Sequence, residues 1–72
     1  LVLEKGRRRI AVECKASAAP AVGAAFWTAL ADLGIGEAWV IAPVREGYPL
    51  GRGARVAPLL QFLREAGRGR SA

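Results

Sequence analysis

Five consecutive apolar residues, Ala38-Trp39-Val40-Ile41-Ala42, stopped by Pro43, constrain this chain more than any other feature. A run too short for a helix and unbroken by polar positions reads as a strand covered on both faces. Such a strand needs a paired neighbour on each side and apolar cover above and below. The chain has 72 residues with which to supply them. That length allows one small domain, which buries only about 60% of the surface its unfolded form exposes.

The neighbours are readable. Leu1 to Glu4 and Arg8 to Lys15 read as two strands joined by a Lys5-Gly6 turn. In the second strand Ile10, Val12 and Cys14 share one face, while Arg9, Ala11, Glu13 and Lys15 share the other. An even-numbered loop puts Leu1 and Leu3 beside Ile10, whereas an odd one puts both leucines beside Arg9 and Glu13. Burial selects the even loop. Ala18 to Leu33 reads as a helix, with Pro20 in its first turn and a stripe of Val22, Phe26, Leu30 and Leu33. Gly34 is its left-handed stop, and Ile35 packs back on the last turn. Strand, helix and buried strand make a βαβ unit, which is expected to cross over right-handedly.

Beyond Pro43 the pattern predicts short strands at Tyr48 to Leu50 and Arg55 to Ala57, around a Gly51-Arg52-Gly53 turn. Pro58 then opens a final helix with Leu59, Phe62 and Leu63 on one face. The expected fold class is α/β: a mixed sheet with a β-hairpin, a crossover helix, a buried strand and a C-terminal helix. It forms a single domain over 1–66, and the Gly/Arg-rich 67–72, with Arg68 and Arg70, is expected to be a disordered basic tail.

Composition narrows the chemistry. Zero His removes Ser-His-Asp and Cys-His nucleophile systems and imidazole metal ligands, and a single Cys removes internal disulfides and cysteine-cluster zinc sites. The lone thiol fits the reducing cytoplasm. The longest uncharged stretch, Ala16 to Ala31, is mostly small residues and shorter than the ~20 apolar residues of a spanning helix, so no membrane partner is expected. Eleven basic against six acidic residues give a net charge of +5, which favours anionic partners, DNA first. Nine of the eleven are Arg, in a chain rich in Ala and Gly, so GC-rich coding is an equal source of that charge.

One constellation carries chemistry: Glu13-Cys14-Lys15. A period of two sets the Glu13 carboxylate and the Lys15 amine on one face, with Cys14 turned to the core as an inert thiol. An acid and an amine on a rigid strand suit phosphodiester hydrolysis with Mg²⁺, Glu13 as metal ligand and Lys15 orienting water or steadying the phosphate. Taken alone, Glu-x-Lys is more often a cross-paired charge on a solvated strand.

Following a glycine hairpin, Ile10-Ala11-Val12-Glu13-Cys14-Lys15-Ala16-Ser17 resembles the PD-(D/E)xK, or restriction-endonuclease-like, superfamily. More narrowly, it resembles the C-terminal domain of unknown function that follows an AAA-type ATPase module in many bacterial and archaeal proteins. The Phe26-Trp27 helix, the Ala38-to-Pro43 strand and the Tyr48-Pro49-Leu50 to Leu63 ending extend the resemblance over most of the chain. It implies a truncated restriction-endonuclease-like core within a longer protein, lacking the helix and strand that precede the hairpin. It also implies self-association through the uncovered edge, Glu13 as the metal-binding acid and Lys15 as the catalytic lysine. The superfamily's Asp has no match here; a residue just ahead of Leu1 would share the face of Val2, Ala11 and Glu13. The helix after the lysine strand offers only Thr28 and Asp32 where many active members place Gln, Glu or Lys.

Two functions follow. In the first the chain is an interaction or DNA-docking module serving an upstream AAA-type ATPase, inactive as it stands. In the second it belongs to a Mg²⁺-dependent DNA endonuclease using Glu13, Lys15 and an upstream Asp. Arg7, Arg8 and Arg9 at the hairpin tip are the candidate phosphate contacts, or else a solvated turn that discourages edge pairing. Trp39 is expected in the core, and Trp27 in the core rather than at a partner surface.

Overall fold

The computed structural model describes the backbone of residues 1–70 and the side chains of residues 1–4 and 6–66. Five strands and two helices follow in the order β1 (Val2–Lys5), β2 (Arg8–Cys14), α1 (Ala24–Leu33), β3 (Glu37–Ile41), β4 (Tyr48–Gly51), β5 (Ala54–Ala57) and α2 (Leu59–Arg70). The strands form one mixed sheet in the order β1-β2-β3-β5-β4. The α/β class and the mixed sheet are as the sequence predicts.

The apolar run is the middle of that sheet. β3 pairs parallel with β2 on one side and with β5 on the other. Ala38, Trp39 and Val40 are all buried, as a strand covered on both faces requires. The N-terminal hairpin closes through Gly6 and Arg7, with Lys5 opposite Arg8 and Leu3 opposite Ile10. This is the even-loop register, which places Leu3 with Ile10 and leaves Val2 and Glu4 on the face of Ala11 and Glu13.

The two faces follow from parity. Ile10, Val12, Trp39 and Ala57 point to α2, where Phe62 and Ala66 complete one core. Trp39 and Phe62 meet edge to face at 5.3 Å, an arrangement that adds to their burial. On the opposite face Ala38 and Ala54 pack beneath Leu30 and Ile35, and Val40 and Val56 beneath Val22, Phe26 and Leu50. α1 therefore lies over β3 and β5 and reaches the hairpin at Ala11.

The start of α1 departs from expectation, while α2 begins directly after Pro58 as predicted. α1 begins at Ala24, not Ala18, with Gly23 as N-cap in an extended conformation. Pro20 disfavours helical geometry at Ala19, and Gly23 costs entropy inside a helix. The Ser17 hydroxyl instead accepts the Ala19 N–H at 3.0 Å in a local turn. The stop is as predicted. Gly34 is left-handed, its N–H reaches the Ala31 carbonyl, and the Ile35 N–H reaches the Leu30 carbonyl, the paired bonds of a Schellman ending.

In α2 Phe62 turns inward with Ala66, while Leu59 and Leu63 are 53% and 55% exposed. The expected single face of Leu59, Phe62 and Leu63 is thus split. The backbone helix continues to Arg70, through part of the segment whose composition predicts a tail. Residues 71 and 72 lie outside the described residues.

Candidate functional site

Glu13 and Lys15 project from the same side of β2, toward α1. The Lys15 Nζ lies 2.9 Å from Glu13 Oε2 in an ion pair, with the two side chains 39% and 37% exposed for Glu13 and Lys15 respectively. Extended geometry persists past the end of β2, because the Lys15 N–H donates to the Ile41 carbonyl at 2.8 Å. That bond keeps Lys15 in step with Glu13.

Because α1 covers β3 and β5, the hairpin side of this face is left open. A groove of about 480 Å³ runs between β1–β2 and α1, and Val2, Ala11, Phe26 and Leu30 line it with Glu13 and Lys15. Its walls are mainly apolar, and one ion pair sits in them. Glu13 is the single carboxylate of its lining, and among the described residues no three His, Cys, Asp or Glu side chains gather to hold a metal. Mg²⁺ is bound by near-octahedral oxygen ligands, with carboxylates usually joined by substrate phosphates. One carboxylate already engaged by an ammonium does not fit that requirement, so these residues alone do not make a Mg²⁺ site.

The three arginines of the hairpin part company. Parity sends Arg8 and Arg9 to opposite faces. Arg8 forks onto Glu37, Nε to Oε1 at 3.0 Å and Nη2 to Oε2 at 2.8 Å, and its Nη1 donates to the Ala66 carbonyl at 3.2 Å. Arg9 donates to the Leu33 carbonyl at 2.7 Å and lies 3.8 Å from Glu4. It thereby places a cation at the C-terminus of α1, where the helix dipole favours one. Arg7 sits exposed in the turn. Two of the three candidate phosphate contacts are thus engaged in holding the fold.

Cys14 is exposed, which corrects the expectation of a buried thiol. It shares the face of Ile10 and Val12 but ends β2, beyond the cover that α2 provides. Trp39 is in the core as expected, whereas Trp27 is half-buried.

Sequence reasoning misses a polar cluster on the α2 face. Glu37 accepts the Arg8 fork and, from Trp39 Nε1, a bond of 3.0 Å. Arg55 lies over the Trp39 ring, 5.1 Å from its centre, and pairs with Glu65 at 3.0 Å. The Arg8 hydrogen bond holds the Glu37 carboxyl below its ordinary range and outweighs burial, which pushes it up; Trp39 and the Arg8 and Arg55 charges add to the lowering. The same bond pushes the Arg8 guanidinium up. The period-two spacing of Glu37 and Trp39 is the available signal for part of this cluster. The partner Arg8 lies 29 residues away, and nothing local marks it.

A second missed contact joins the β4–β5 turn to α1. The Arg52 guanidinium lies 5.3 Å from the centre of the Trp27 ring, and Trp27 meets Phe26 edge to face at 5.2 Å. Compared with known proteins, the chain matches no family model, no curated protein and no solved structure.

Proposed function

We propose that this chain is a nuclease-fold module that docks on DNA on behalf of a larger, ATPase-linked protein and does not cut DNA with its own residues alone. The observation that carries this reading is the Glu13–Lys15 pair, at 2.9 Å on one face of β2. The acid and amine stand in the order and on the side that the PD-(D/E)xK resemblance calls for. The acid is alone, so the surface is left for binding. A net charge of +5 supports an anionic partner, and the resemblance supplies the ATPase. Self-association through β1 belongs to the same reading, since β1 is an edge strand and Leu1 and Val2 are 83% and 40% exposed.

A second reading, a Mg²⁺-dependent endonuclease using Glu13, Lys15 and an upstream Asp, is favoured by the hairpin register. Val2 lies opposite Ala11, and the Val12 N–H donates to the Leu1 carbonyl at 2.7 Å. In a longer chain, a strand residue ahead of Leu1 falls directly opposite Glu13. Plasmid nicking by the longer protein with Mg²⁺ or Mn²⁺ separates the readings. Cleavage lost in both Glu13→Ala and Lys15→Ala establishes the enzyme. DNA binding that is indifferent to both substitutions, with no nicking, establishes the docking module. No binding to DNA in either assay removes both.

A further inference from the structure

We infer that the Arg52–Trp27 stack is a binding site for an unpaired nucleotide, with the phosphate held by the edge of the guanidinium and the base stacked on its outer face. This rests on the nucleic-acid reading above and moves the point of contact from the hairpin arginines to the β4–β5 turn.

The β4–β5 connection is a tight turn in which Arg52 and Gly53 have φ of 54° and 80°, following Gly51 at 92°. Positive φ at both central positions is the pattern that selects Asn-Gly or Gly-Gly. Among the described residues Arg52 is the only one other than Gly with positive φ. An arginine there costs free energy that Asn or Gly would spare. Gly53 has no such freedom to vary, because an added Cβ would collide with the Gly36 carbonyl oxygen. The turn is thus locked onto the start of β3, and Arg52 is held in its unfavoured conformation at a fixed place.

That place is above Trp27. The ring meets Phe26 edge to face, and Leu50 and Ala54 belong to the same apolar cluster. Arg52 is exposed, and no hydrogen bond or ion pair engages it among the described residues, unlike Arg8, Arg9 and Arg55. With its central carbon 5.3 Å over the Trp27 ring, the exposed guanidinium keeps the side away from the ring and its N–H donors available. Those are the groups that take a base by stacking and a phosphate by a forked hydrogen bond. Duplex DNA offers the phosphate but keeps its bases stacked inside, so an unpaired strand is the better ligand.

The test uses fluorescence anisotropy with a labelled oligothymidylate of about ten nucleotides and a duplex of equal length, beside thermal melting. The chain is expected to bind the single strand more tightly than the duplex. Arg52→Asn is expected to weaken single-strand binding by about tenfold, the scale of one lost stacked base, with a melting midpoint equal to or above that of the parent. Arg52→Lys, which keeps the charge and loses the plane, is expected to erase the preference for single strand over duplex. Single-strand binding unchanged in Arg52→Asn overturns this inference alone, and a lowered midpoint in that variant would assign Arg52 to latching the turn onto α1. Absence of binding to both probes overturns the docking reading as well.

Discussion

The two faces of the sheet are covered by one helix each, and they are built differently. On the α2 face Phe62 and Ala66 settle onto Ile10, Val12, Trp39 and Ala57, and the polar groups at its margin are joined in the Arg8–Glu37–Trp39 network. On the α1 face the helix offers many alanines and sits to one side, over β3 and β5, so the strip above Val2, Ala11 and Glu13 stays open. Large side chains on a central line close one face. Small ones on an offset helix leave the other with a groove. The tighter core lies on the first face, and the open groove lies on the second.

That contrast is open to direct attack. Phe62→Ala removes an aromatic ring from the closed face and is expected to cost about 3–5 kcal/mol, enough to unfold a domain this small. Leu33→Ala on the open face, at a residue 46% exposed, is expected to stay within about 0.5 kcal/mol. Urea denaturation compares the two, and equal losses would mean that α1 is as firmly packed as α2. Gly34→Ala forces a side chain into the left-handed ending of α1, where an added Cβ meets no neighbouring atom. Its expected cost, about 1–2 kcal/mol, is therefore the backbone term alone.

Glu37→Gln sharpens the electrostatic side of the comparison. The Glu37 carboxyl titrates lower in the folded chain than in the unfolded one, so the unfolded state takes up the extra proton as pH falls. Its contribution is complete above the ordinary carboxylate range and is lost as pH drops through the lowered folded value. Melting followed from neutral to acid pH should show the parent losing stability over that window and the variant losing less, the two curves converging at the acid end. Arg9→Ala removes the cation from the end of α1 and is expected to cost about 0.5 kcal/mol, fading as salt is raised. A loss that ignores salt would point to packing by the arginine stem.

Features set by spacing along the chain are legible in the residues themselves. Parity locates the hairpin register, an unbroken apolar run locates β3, and Gly34 followed by Ile35 locates the end of α1. For the candidate site, the shared face of Glu13 and Lys15 is legible for the same reason. What escapes depends on where distant segments meet. Cys14 has the parity of a buried residue, but burial also requires α2 to extend over the strand end, and it does not. The Arg7–Arg9 run looks like one basic patch in sequence. Glu37 and the Leu33 carbonyl divide it, and both are brought there by α1 and β3. The start of α1 is misread for a local reason. Pro20 suits a first helical turn, yet it also turns Ala19 away from helical geometry, and Gly23 is costly inside a helix.

The bond from Arg8 to the Ala66 carbonyl spans 58 residues, and it ties the second strand to the last helix. During synthesis Glu37 follows Arg8 by 29 residues and Ala66 follows it by 58, so Arg8 can fork onto Glu37 well before the Ala66 carbonyl is there to take its remaining donor. Fastening β2 to α2 therefore comes after β2 is joined to β3, and a chain cut short ahead of Ala66 would keep the Arg8–Glu37 fork and lose only this tie to the last helix.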